Sequence, residues 1–236
     1  MRQVPAALNE VRRTRFLIDR VDKWIYDEIS PHLGQRILEV GCGLGNLLQH
    51  LSGRSLVVGI EKDAETVSCL RAFYRDVGNV QIHKLDICDP AARELAKLRL
   101  DTVVSLNVFE HIENDILAFR NVAEILDPGG SLVLVVPAHR WLYGTMDRSL
   151  GHYRRYDKST MASTLAQTGF VPVKQEYVNL LGALGWFLNG RVLGKQLPPP
   201  GQLRAFNLVV PIARVFESIF PPPLGISLVT VARVTE

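Results

Sequence analysis

Three glycines at alternate positions, Gly41, Gly43 and Gly45, end an apolar run that starts at Ile37 and carries an acid, Glu39, near its end. Glycine tolerates positive φ and lets a ligand lie against the backbone, so the run reads as a strand, a tight turn and the start of a helix. Leu44, Leu47, Leu48 and Leu51 supply the helical pattern, and free N–H groups at a helix start favour negative or oxygen-rich groups. A second apolar run, Leu56 to Ile60, ends in Glu61. A carboxylate at such a strand end is either a ribose-binding acid or a plain surface glutamate; taken with the glycine loop, binding of a nucleotide-like cofactor is the chemistry to expect. The dinucleotide fingerprint G-x-G-x-x-G is close to this pattern, but here the third glycine comes one residue too early.

From about Gln35 to Phe170 the chain resembles the class I S-adenosylmethionine-dependent methyltransferases. Glu39-Val40-Gly41-Cys42-Gly43-Leu44-Gly45 is similar to the first motif of that family, and Glu61 to its ribose-binding acid. Lys84-Leu85-Asp86-Ile87 resembles the third motif and the stretch Thr102 to Ile112 the fourth; Leu126 to Leu134 is similar to the turn and strand that follow. The resemblance implies S-adenosyl-L-methionine as cofactor and methyl transfer to an O or N atom of a small-molecule acceptor. It implies that Gly41, Gly43 and Gly45 admit the methionine end, that Glu39 belongs to the cofactor site and that Glu61 accepts from both ribose hydroxyls. Asp86 would accept from the adenine amine, Ile87 would contribute backbone and Asn107 a carbonyl. Lys62 would lay its stem on the purine or stay in solvent; Trp24 and Tyr26 would cap the cofactor or pack in the core. In-line displacement at a sulfonium methyl needs alignment and removal of a proton, and no metal is called for.

A second chemical cluster follows the fifth apolar run: Pro137 to Tyr143, then Asp147, then Gly151-His152-Tyr153-Arg154-Arg155-Tyr156. In the family this segment helps form the acceptor side. Tyr143, His152, Arg154 and Arg155 are therefore acceptor-binding candidates, arginine offering a planar fork of donors; an arginine pair on a solvated loop is the plainer reading. Imidazole is the usual proton acceptor near neutral pH. His111, after the fourth motif, is the first candidate for general base, His152 its rival and His139 a weaker one. A histidine that merely orients its loop is equally consistent with the position of His111.

Apolar runs at 36–41, 56–60, 79–85, 101–106 and 131–136 alternate with amphipathic patterns near 44, 64, 91, 114 and 158. Such alternation predicts an α/β fold, a doubly wound and mainly parallel sheet with ligands at the carboxyl ends of its strands. Val21, Trp24, Ile25 and Ile29 predict an N-terminal helix ended by Pro31. Near 114 the pattern Ile116, Phe119, Ala123 and Leu126 marks the expected buried stripe. The resemblance implies seven strands in a single domain, with a cofactor core at 35–170 and an acceptor-side loop at 137–160. At 236 residues, 47% of them hydrophobic and 22% charged, one globular enzyme domain is the natural size class.

A net charge of +3 is too small to demand nucleic acid. Cys42, Cys69 and Cys88 show no C-x-x-C spacing and read as reduced thiols. Arg2, Arg12, Arg13 and Arg15 accompany no apolar signal core, which predicts a cytoplasmic protein.

In the family the last two strands often form a near-direct hairpin, here Val171 to Val178 and Ile226 to Val234. Between them residues 179–225 form an insert that holds seven of the 13 prolines, four basic residues (Arg191, Lys195, Arg204, Arg214) and one acid, Glu217. Trp186, Phe187, Phe206, Phe216 and Phe220 are interspersed. No apolar run approaches the ~20 residues of a membrane span. The insert reads as a lid over a hydrophobic or lipid-linked acceptor with Trp186 touching it, as a homodimer interface, as a surface resting on a membrane, or as a structural cap. Two other functional classes remain open at this level: a non-catalytic module that keeps the cofactor fold, and a dinucleotide-dependent oxidoreductase.

Overall fold

A computed structural model describes residues 19–235. The arginine-rich N-terminus lies outside them. Seven strands form one sheet: β1 (Arg36–Val40), β2 (Leu56–Glu61), β3 (Val80–Lys84), β4 (Leu100–Leu106), β5 (Leu126–Pro137), β6 (Phe170–Val178) and β7 (Ser227–Val234), in the order β3-β2-β1-β4-β5-β7-β6. The first five pair in parallel, and β7 runs antiparallel to both β5 and β6. Strand order reverses direction at β1 and β4, and the crevice beyond their carboxyl ends is where such sheets bind ligands.

Each central strand is buried on both faces, which is why its sequence is nearly all apolar. Ile37, Val57, Val104 and Val133 pack on one side with Trp24, Leu48 and Val67. Leu38, Val58, Val103 and Leu134 pack on the other with Phe109, Phe119 and Leu165. Helices α1 (Asp19–Ile29), α2 (Leu48–Leu51), α3 (Ala64–Phe73), α4 (Asp115–Ile125), α5 (Thr145–Leu150) and α6 (Lys158–Gln167) accompany the strands.

Three local expectations are corrected. No helix starts at Leu44: Gly45 sits at φ +77°, which a right-handed helix cannot contain, so residues 41–47 turn and only Leu48–Leu51 is helical. The pattern near 91 is a 3₁₀ stretch, Pro90–Leu98, whose N-cap Asp89 accepts from the Ala91 amide. In α4 the buried residues are Asp115, Ala118, Phe119, Asn121, Val122 and Ile125 rather than Ile116 and Ala123, and Leu126 already belongs to β5. Polar groups set that rotation: Asn121 Nδ2 donates to the Ile87 carbonyl at 2.7 Å, and Asp115 accepts from the Tyr156 hydroxyl at 2.7 Å.

The insert does not disturb the hairpin, which pairs from Phe170↔Val234 to Val178↔Ser227. Because β6 runs parallel to β5, its end lies on the carboxyl edge of the sheet, so the insert leaves from the ligand-binding edge. It forms α7 (Leu180–Trp186), a π-helical turn (Phe187–Val192) and α8 (Pro200–Ile219). Glu217 of α8 is buried and accepts from the Asn179 and Leu180 amides at 2.8 and 2.9 Å. Asn179, at φ +69°, in turn caps α7 by accepting from Gly182 N at 2.7 Å. Arg214 and Asn207 of α8 bond Asp27 and Asp19 of α1. Glu217→Ala is expected to cost about 2 kcal/mol by stranding two buried donors. Urea unfolding measures it, and an unchanged midpoint would contradict this anchoring role.

Candidate functional site

The loop after β1 closes on itself and on β2. Gly41 N and Cys42 N donate to the Ile60 carbonyl at 2.9 and 3.1 Å. Gly41 lies at φ +70°, and a Cβ there would meet Val108 at 2.5 Å, so the loops after β1 and β4 touch and only glycine fits between them. At Gly43 (φ +48°) the nearest atom to a Cβ would be the Gly41 carbonyl at 4.0 Å, so this side of the loop faces open space. Gly43 N donates to Glu61 Oε2 at 3.1 Å, while Glu61 Oε1 accepts from Lys62 N and Asp63 N at 2.8 and 3.1 Å. Three amides thus hold that carboxylate at the end of β2. Glu39 is buried at the end of β1, and the side chain of Lys62 is exposed.

Beyond β3, Asp86 is exposed and its Oδ1 accepts from Cys88 N at 2.8 Å; Ile87 is buried with its carbonyl held by Asn121. Leu85 N bonds the Glu61 carbonyl at 3.0 Å, which locks this loop beside the ribose acid. Beyond β4, Asn107 is exposed at φ +53°, its N–H bonded to the Val135 carbonyl at 2.8 Å. Asparagine is among the few non-glycine residues that tolerate this left-handed conformation.

The next turn, Phe109–His111, begins a buried polar network. Glu110 is 0% exposed, neither carboxyl oxygen has a hydrogen-bond partner among the described residues, and burial pushes its pKa up to about 8. The rings of His111 and His152 meet edge to face at 4.7 Å. Burial, then the neighbouring His152, hold the imidazole of His111 below its ordinary pKa, opposed by its hydrogen bond with Gly151. Asp147, also 0% exposed, gathers four donors: Oδ1 contacts His152 Nδ1 at 3.0 Å and Arg155 Nε at 2.7 Å, and Oδ2 accepts from Gly144 N at 2.9 Å and Trp186 Nε1 at 3.1 Å. Burial alone would raise its pKa; the bonds from His152, Arg155 and Gly144 outweigh it and bring the value down to about 2. An ionised carboxylate only accepts, so His152 Nδ1 carries the proton and Nε2 is left for other chemistry. Arg155 also donates to the Ala138 carbonyl at 2.9 Å, and its guanidinium lies 4.9 Å from the Trp186 ring centroid.

Among the described residues, a cavity of ≈ 1730 Å³ runs along this edge of the sheet, and Gly45, Asn107, Glu110, His111, His152, Arg155 and Trp186 all line it. Tyr143 and Arg154 do not reach its wall: the Tyr143 hydroxyl bonds the His152 carbonyl at 2.7 Å, and Arg154 pairs with Asp115. His139, the weakest base candidate, is also turned away and packs its ring on Tyr177 at 4.2 Å. Trp24 is a core residue, whereas Tyr26 lines the cavity and stacks on His50. Sequence reasoning gave no role to Glu110 or Asp147. An acid beside a histidine or within a basic loop looks like any solvated acid until the fold buries it.

Residues 10–175 match the methyltransferase domain family. The chain belongs to the S-adenosylmethionine-dependent methyltransferases. Over 165 residues it is 22% identical to the ubiquinone biosynthesis O-methyltransferase of Paracidovorax citrulli, covering 64% of this chain and 69% of that protein. Over 163 residues it is 26% identical to phosphoethanolamine N-methyltransferase 1 of Triticum aestivum, covering 65% of this chain and only 32% of that protein, so it spans about a third of this second relative. The magnesium protoporphyrin IX methyltransferase of Synechocystis PCC 6803, solved with S-adenosylmethionine bound, shares the fold with a TM-score of 0.54 and 16% identity, covering 100% of this chain and 86% of that one.

The residues of this methyltransferase fit its cofactor. The open face of Gly43, the carboxylate of Glu61 at one strand end and that of Asp86 at the next give a backbone surface and two acceptors along one edge of the sheet. Asp147→Asn would leave the buried Arg155 charge unpaired, at an expected cost of about 3–5 kcal/mol near neutral pH. The folded pKa of Asp147 lies below its unfolded value, so its contribution is fully present above the ordinary aspartate value of 3.8 and fades as pH falls toward about 2. Denaturant unfolding of both proteins at several pH values is expected to show the gap narrowing only below pH 3.8; a gap constant down to the lowest pH would contradict it.

Proposed function

We propose that this methyltransferase moves a methyl group to an oxygen or nitrogen atom of a hydrophobic, lipid-linked acceptor, which enters beneath the 179–225 insert from a membrane surface. When bound, S-adenosylmethionine supplies an electrophilic methyl on sulfonium sulfur. Gly41, Gly43 and Gly45, with Glu39 behind them, leave room for its amino-acid end. Glu61 accepts from the ribose hydroxyls, one of which takes the place of the 3.1 Å bond from Gly43 N. Asp86 accepts from the adenine amine through its outer oxygen, Ile87 supplies backbone, Asn107 supplies a carbonyl, and the stem of Lys62 lies along the purine rim.

The acceptor's reacting atom lies against Glu110, His111 and His152, where its proton is taken up. Arg155 and Trp186 fix His152 through Asp147 and face the acceptor themselves. Tyr143 and Arg154 act on this pocket indirectly, the first by holding the His152 carbonyl and the second by tying the loop to Asp115.

The supporting observation is that one cavity wall is shared by this polar cluster and by the insert. Leu181, Trp186, Pro198, Leu203 and Phe206 line the same space as His111 and His152. A polar head and an apolar body are the matching ligand. The outer face of the insert favours a lipid source for it. Among the described residues, 15 of the 21 exposed large apolar side chains fall between Leu181 and Leu224. On α8, Leu208, Ile212, Val215 and Ile219 form one outward stripe, each more than 60% exposed, and Arg191, Lys195 and Arg204 of the same insert are exposed. No helix among the described residues is long and apolar enough to cross a membrane, so contact would be with one surface, basic residues toward anionic head groups.

Three outcomes are expected. Glu61→Ala weakens S-adenosylhomocysteine binding at least tenfold in calorimetry, since lost hydrogen bonds to a charged acceptor are worth about 1.5–3 kcal/mol each. The purified protein floats with anionic vesicles and not with neutral ones, and the Ile212→Glu, Val215→Glu double variant stays behind with an unchanged melting temperature. Cofactor labelled on its methyl group transfers label to the organic phase of a membrane lipid extract. A wild-type protein that labels only water-soluble compounds, or that ignores both vesicle types, would overturn the lipid-linked reading.

A further inference from the structure

We propose that Glu110, His111 and His152 bind a divalent first-row transition-metal ion such as Zn²⁺, Mn²⁺ or Co²⁺. One carboxylate oxygen of Glu110 and one ring nitrogen of each histidine all lie within 4.8 Å of one another. Two imidazoles and a carboxylate are a ligand set for catalytic metals, leaving positions open for a further ligand. Metal bonds of about 2.0–2.2 Å bring such atoms to roughly 3–3.5 Å apart. His111 lines the cavity and is partly exposed, so a shift of its ring into that open space closes the difference.

Two further observations point the same way. Glu110 is wholly buried and lines the cavity, yet among the described residues neither of its oxygens has a hydrogen-bond partner. Buried carboxyl oxygens are ordinarily satisfied, and one of this pair lies within 4.8 Å of a ring nitrogen of each histidine. His152 is also braced from behind, as metal-ligating histidines are, by donating its other ring N–H to a carboxylate: its Nδ1 has Asp147 at 3.0 Å. The nearby positive charge of Arg155 is offset by its ion pair with Asp147 at 2.7 Å, and its NH1 donates to the Ala138 carbonyl.

This departs from the sequence expectation, under which the reaction calls for no metal. It rests on the proposed function only in placing the acceptor here: a cation at this position supplies a Lewis acid beside the acceptor's oxygen or nitrogen, where it favours loss of the proton. Without a cation, the same imidazoles serve as the proton acceptor.

The test uses the full chain, stripped with a chelator and titrated with Co²⁺. The visible absorption of cobalt reports nitrogen and oxygen coordination directly, and calorimetry gives the stoichiometry. We expect one ion per chain, with affinity reduced at least tenfold in both His111→Ala and Glu110→Gln. Each variant is first shown to keep the wild-type circular dichroism and its binding of S-adenosylhomocysteine. No cobalt spectrum in a wild-type protein that binds S-adenosylhomocysteine would overturn the cation site and leave the methyl-transfer reading standing. A spectrum unchanged in both variants would overturn the site as well. If the wild type binds cobalt and never S-adenosylhomocysteine, the cation site stands and the proposed function falls.

Discussion

One buried carboxylate, Asp147, ties together the parts of this molecule that no continuous stretch of chain connects. Its two oxygens receive an imidazole, a guanidinium, a backbone amide and an indole, so the loop after β5, the short helix α5 and the insert meet on one charge. A charge this deep is tolerated only when every acceptor site is filled. The consequence is orientation. His152 can present only Nε2 to the cavity, Arg155 is pinned beneath Trp186, and the insert cannot lift from the sheet edge at Trp186 without taking the indole donor away from a buried charge. Glu110 is the opposite case, a carboxyl group equally buried and without a hydrogen-bond partner among the described residues. Two acids of opposite environment, one satisfied and one waiting, flank the same pair of histidines.

Positioning of the cofactor edge follows a different logic, that of the parallel sheet. The reversal of strand order at β1 and β4 opens a crevice, the contact between Gly41 and Val108 draws its two loops together, and three amides set Glu61 at the rim. The insert then adds a roof from the last hairpin. Its α8 is apolar on both sides, with Val210 and Ala213 inward and Leu208, Ile212 and Val215 outward. Such a helix suits two apolar neighbours. One is the protein; the outward stripe is what supports the proposed membrane surface as the other, since patches of this extent are rare on a protein meant only for water.

Much of this was legible in the sequence because the relevant physics is local. Alternating apolar runs gave the strands, the glycine spacing gave the loop after β1, and Glu61 stood at a strand end that periodicity alone could locate. The errors are equally local in cause. The leucines after Gly45 look helical, but a positive φ at Gly45 delays the helix to Leu48. The stripe of α4 is turned by two polar bonds, from Asn121 and to Asp115, that hydrophobic spacing cannot foresee. The acceptor side was the least readable. His152, Arg155 and Trp186 were singled out by residue type, but Tyr143 and Arg154 looked equally suitable and lie off the cavity wall. Asp147 and Glu110 matter through burial and through partners distant in the chain, as Trp186, 39 residues on, is from Asp147. Spacing carries no trace of that.

The central claim is spatial: one nucleoside spans Glu61 and Asp86, and its sulfur end faces the histidine pair. A crystal structure with S-adenosylhomocysteine tests it most directly. The expected result is an adenosyl group hydrogen-bonded to Glu61 and Asp86, with the homocysteine sulfur turned toward His111 and His152. A nucleoside seated away from either carboxylate, or a sulfur directed away from both imidazoles, would contradict it.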